Sequence, residues 1–187
     1  MSKLDASSAN TTQKADILKY ATETRRFEIE RFWQRSLFFW GFIGAALIAY
    51  AAISKSDVDP ILPLAIACFG AVSSVAWTLQ NRGSKYWQEA WEDKIKAVEI
   101  DVLGAPLFSN IEPVRNRHIW GAIRYSVSKL AIALSDFTVL VWGFLIWKSH
   151  PRQYFHTDLD LADWITVIAM MYTILILLFG RAKGARP

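Results

Sequence analysis

Asp136 is the residue of this chain with the most chemistry to offer, because it sits inside a long apolar run, Ser128–Trp147. A carboxylate at the centre of a bilayer costs about 3 kcal/mol on insertion scales, so such a group usually faces a bundle interior or a water-filled path. Lys129 stands seven residues earlier on the same helical face, with Ser126 and Gly143 also along it. On one helix those seven residues separate the charges by about 10 Å, too far for a tight pair, and the Lys129 side chain can extend to the headgroups instead. Two readings of Asp136 follow. It lines a pore or accepts protons, or it is a structural partner hydrogen-bonded to a neighbouring helix.

The other polar groups offer less. His150, His156, Asp158 and Asp160 share the segment Lys148–Asp163 and could bind a metal or sense pH, since histidine titrates near neutrality, but their spacing matches no ligand pattern and a solvated loop accounts for them. Cys68 is the only cysteine and lies in an apolar run, where a buried structural thiol is expected. The chain has no glycine-rich phosphate loop, nucleophile elbow, zinc-type Cys/His spacing or HExxH. A nuclease of the HEPN type needs an arginine and, after a short gap, a histidine; Arg115-Asn116-Arg117-His118 is too tightly spaced for that. No enzymatic activity, metal or cofactor is therefore expected.

The elements that must position these residues are helices in lipid. Four apolar stretches, about Ser36–Ser54, Pro60–Leu79, Ser128–Trp147 and Trp164–Gly180, each approach the roughly 20 residues that a helix needs to cross a bilayer. Hydrophobic residues make up 53% of the chain, and of its 9 tryptophans Trp33, Trp40, Trp77, Trp142, Trp147 and Trp164 fall at or near span ends, where indoles meet headgroups. The expected fold is all-α: an integral membrane protein with four transmembrane helices and a helical cytoplasmic region.

Lys and Arg placement gives the orientation. Seven lie in the N-terminal segment, seven between the second and third spans and three in the tail, against three in the two connecting loops. Positive residues stay on the cytoplasmic side, so both termini and the middle segment are placed there. The net charge of +4 is what cytoplasmic loops at an anionic membrane show, and no nucleic-acid partner is expected.

Along the chain, residues 1–14 read as a disordered N-terminus and 15–35 as a cytoplasmic helix continuing into the first span. Residues 36–80 read as a transmembrane hairpin, 81–125 as a cytoplasmic helical segment, 126–180 as a second hairpin and 181–187 as a basic tail. Small residues mark packing faces: Gly41, Gly44 and Ala45 in the first span, Ala67, Gly70, Ala71 and Ser74 in the second. Asn81-Arg82-Gly83-Ser84 reads as a turn, Gly83 permitting it and Ser84 capping a new helix, Lys85–Val102. That helix carries an apolar stripe of Trp87, Trp91, Ile95, Val98 and Val102, flanked by charges of both signs, including Lys85–Glu89 and Glu92–Lys96 at i,i+4. The mixed charge favours protein packing over a membrane surface for this stripe.

Two stretches carry a family resemblance. Phe27-Glu-Ile-Glu-Arg-Phe-Trp-Gln-Arg-Ser-Leu-Phe-Phe-Trp40 leads into the first span, and Trp77-Thr-Leu-Gln-Asn-Arg-Gly-Ser-Lys-Tyr-Trp-Gln-Glu-Ala-Trp-Glu-Asp-Lys94 follows the second. Over about residues 27–102 the chain resembles the RipA family of small octameric bacterial inner-membrane proteins. The resemblance implies a homo-oligomer in the bacterial cytoplasmic membrane, a ring around an aqueous path, and a related group accompanying RNA-targeting CRISPR effectors is regarded as pore-forming. It names no substrate. The expected function is a homo-oligomeric pore or channel-like protein, with stress adaptation or defence as its setting. The alternative is a non-conducting scaffold whose cytoplasmic collar, built on Trp87, Trp91 and Ile95, binds a protein partner.

Overall fold

A computed structural model describes residues 3–55, 59–105, 125–150 and 160–181, with side chains from Asn10 onward. The described residues form four helices: α1 (Lys3–Ile53), α2 (Ile61–Leu103), α3 (Val127–Ser149) and α4 (Leu161–Phe179). All four are long and apolar enough to cross a membrane.

Local chemistry sets several helix ends. Before α2, the Asp59 carboxylate accepts the Ile61 amide at 3.0 Å, and Pro60 and Pro63 sit at the helix start, where a missing N–H costs nothing. At its far end Gly104 takes φ +67°, a left-handed conformation, and its N–H closes on the Ile100 carbonyl at 3.0 Å. Asp160 caps α4 by accepting the Asp163 amide, and the Asp163 carboxylate accepts the Asp160 amide in return.

Two expectations are corrected. α1 begins at Lys3, so residues 3–14 are helical rather than without structure; extending an existing helix costs little, because the nucleus is already formed. The turn at Asn81–Ser84 does not exist: α2 passes through it, and Gly83 has no left-handed φ. Asn81, Ser84 and Gln88 are all buried and stand three and four residues apart, so this stretch presents a packed edge that a continuous helix supplies. One interior glycine costs only about 1 kcal/mol relative to alanine, which packing on that edge offsets.

The chain divides into two compact units, Met1–Gln34 with Gly83–Val127, and Arg35–Arg82 with Ser128–Pro187. In the first, α1 and α2 run antiparallel. Lys14 meets Asp101 at 2.6 Å, Tyr20 stands edge-on to Trp91 with ring centroids 6.1 Å apart, and Arg25 meets Glu92 at 2.7 Å. Glu92 is thus held by α1, and Lys96 reaches Asp93 at 3.3 Å instead of the expected Glu92.

The second unit has an aromatic and small-residue interior. Trp40 of α1 stands edge-on to Trp77 of α2, with centroids 6.2 Å apart. Tyr50 of α1 stands edge-on to Trp142 of α3, and its hydroxyl shares a hydrogen bond of 2.8 Å with Ser149. Trp142 rests directly on Gly70 of α2. α4 joins through Ala162, which clusters with Leu64 and Cys68. Of the small residues expected to mark packing faces, those of α2 are packed inside this unit, whereas Gly41 and Gly44 of α1 have open space where a side chain would stand.

Candidate functional site

The second unit holds a polar layer in otherwise apolar surroundings. Asn81 of α2 is fully buried; its amide nitrogen donates to the Ala131 carbonyl and to Ser135 Oγ on α3, both at 3.3 Å. Ser36 of α1 donates to Asn81 Oδ1 at 3.5 Å. One side chain thus joins three helices, and in lipid such interhelical hydrogen bonds are worth about 0.6 kcal/mol each.

Next to this layer on both helices lies the charged pair. Arg82 follows Asn81 and Asp136 follows Ser135, and the Arg82 guanidinium donates to Asp136 Oδ2 at 2.7 Å. The two side chains remain 54% and 42% exposed on the protomer. Helix geometry explains why they meet. Asn81 and Ser135 face each other, so the next residue on each helix, turned about 100° around its axis, emerges at the rim of the same interface. Lys129 is exposed one heptad earlier on this edge of α3, and Ser126 lies partly buried just before the helix begins. The structure therefore unites Asp136 with a residue of the expected turn motif and not with Lys129 or Ser126.

The collar candidates of the first unit separate. Ile95 is fully buried, and Trp91 is half-buried against Tyr20, with Lys94 Nζ 4.3 Å above its ring. Trp87 points outward at 48% exposure, next to Tyr86. The packed edge of α2 in this unit runs through Ser84, Gln88, Ile95 and Glu99, so the apolar stripe read from the sequence is offset from the buried one. Beside Trp91 an open groove of about 610 Å³ is lined by Ile17, Tyr20, Ala21 and Val98, with Asp16 and Lys94 at its edge.

Among the described residues no group of three His, Cys, Asp or Glu side chains could hold a metal ion. Cys68 is a buried free thiol. His150 Nε2 lies 3.2 Å from Asp163, the residue that completes the α4 cap, so these two belong to a helix terminus. His156, Asp158 and the Arg115–His118 run lie outside the described residues.

Comparison with known proteins adds one finding. A model of an octameric membrane protein family matches residues 15–151. No curated protein and no solved structure matches the chain.

Proposed function

The chain belongs to the octameric membrane protein family, and on that premise we propose that it assembles as a ring of eight and serves as a pore or channel-like protein. Within the family we place it beside the RipA-type proteins that its Trp77–Lys94 run resembles, in the bacterial cytoplasmic membrane with both termini on the cytoplasmic side. Its work on this reading is passage of solute, not catalysis.

One observation carries the proposal: the Arg82–Asp136 pair, set between spanning helices, is about half open on the protomer. A ring that turns this edge inward gives the charges water, and rings of charged side chains are a recurrent way to line an ion path. Reconstituted vesicles test the proposal. Salt or dye efflux should appear with the purified protein and fall with Asp136→Asn; vesicles as tight as protein-free ones would end it.

The second reading is a non-conducting scaffold, favoured by the groove beside Trp91 and by the exposed Trp87 in the first unit. It requires a partner protein recovered from native membranes. Recovery of this chain alone, together with measurable efflux, decides against it.

A further inference from the structure

We infer that Arg82 sets the charge selectivity of the path: paired with Asp136, it neutralises each carboxylate, so that the path admits small inorganic ions of both signs. The inference rests on the pore reading and adds to it what Arg82 does beside Asp136.

The argument begins with the exposed half of the pair. Three surroundings could meet it: lipid, a neighbouring subunit or water. Lipid is disfavoured, because ionised groups facing hydrocarbon carry a penalty that other contacts must offset. A dry subunit contact would strip both ions of their remaining hydration, a cost that their mutual attraction need not repay. Water imposes neither penalty. Stability does not account for the pair: both partners are more than a third exposed, and such pairs contribute little. On the pore reading the water at this edge is that of the path, and charge there is what the pair supplies.

The geometry then fixes the sign of the path. Arg82 Nη2 and Asp136 Oδ2 are 2.7 Å apart, and both side chains keep an open side. A passing cation meets the carboxylate and a passing anion meets the guanidinium, so neither sign is excluded. The neutrality depends on both partners. Without Arg82, one uncompensated carboxylate faces the path in every copy. Without Asp136, an uncompensated guanidinium faces it.

The test is the reversal potential in planar bilayers under a potassium chloride gradient. The wild-type protein should show a potassium-to-chloride permeability ratio near one. Arg82→Gln should shift the ratio about fivefold toward potassium and Asp136→Asn about fivefold toward chloride, the size expected for roughly 1 kcal/mol of unpaired charge at contact distance in water. The exchanged pair, Arg82→Asp with Asp136→Arg, should return the ratio to near one. Opposite shifts from the two single variants cannot come from general loosening of the fold. Current with an unshifted reversal potential overturns the inference and leaves the pore reading standing; absence of wild-type current overturns both. A second measurement needs no current. With Cys68 replaced by Ala, the thiol of Asp136→Cys should react with a membrane-impermeant charged reagent. Protection of that thiol would place the edge against lipid or a neighbour, and the inference would fall.

Discussion

Gly70 is where the large Trp142 side chain of α3 rests on α2, and it shows how one missing side chain fixes a fold. Trp142 is fully buried and lies where a Cβ on residue 70 would have to stand. The missing side chain lets a large ring fill the space between α2 and α3, in lipid, where small residues and dense packing replace the hydrophobic drive. Gly70→Ala should therefore lower the unfolding midpoint in detergent, with an overpacking cost of about 1–3 kcal/mol. Trp142→Leu in the same chain should recover part of the loss, because a smaller side chain vacates the contested space. No loss in Gly70→Ala would mean that the ring can move aside. The residue scale also separates what the sequence could tell from what it could not. Asp136 was legible because a carboxylate within an apolar run is costly wherever the chain goes. Arg82 was not, because its partner lies 54 positions away and only the facing of Asn81 with Ser135 brings the two together.

At the scale of elements, the spans were legible from composition alone, since lipid demands length and apolarity of any helix that crosses it. Continuation of α2 past Asn81 was not legible. Gly83 and Ser84 are local signals for a break, and they are overruled by burial of Ser84, Gln88 and Ile95 along one edge. That edge is unusually polar, with Glu99 fully buried at its end, and polar residues at packed positions specify register at some cost in stability. Ion pairs between α1 and α2 add to the register, though unequally. Arg25 and Glu92 are about one-third exposed and joined by two hydrogen bonds from the guanidinium, whereas Lys14 and Asp101 are more open. A double-mutant cycle on Arg25→Ala and Glu92→Ala should give a coupling toward the upper end of the range for exposed pairs, about 1 kcal/mol, while one on Lys14→Ala and Asp101→Ala should give nearly none. Equal couplings would show that the geometry of the Arg25 fork adds nothing.

For the whole molecule, the unanswered demand is cover for exposed aromatic surface. In lipid, outward Leu, Phe and Met side chains on α3 and α4 need no partner. In the first unit, where Lys14, Arg25, Arg26, Lys85 and Lys96 form ion pairs, Tyr20, Phe27, Tyr86 and Trp87 are exposed as well, and large exposed apolar patches mark interaction surfaces. Trp91 and Trp87 have different roles there. Trp91 is engaged by Tyr20 and Lys94 within the protomer, so Trp91→Ala should loosen the α1–α2 pairing itself. Trp87 shows no such engagement with α1 and is the side chain available to a neighbouring copy in the proposed ring. Trp87→Ala should therefore lower the mass of the detergent-solubilised particle, measured by light scattering, while helical content by circular dichroism stays at the wild-type level. A particle of unchanged mass would move the subunit contact to the outward face of α1, where Phe38, Gly41, Phe42 and Ile48 are also exposed. Loss of helicity together with mass would instead show that Trp87 holds its own hairpin together.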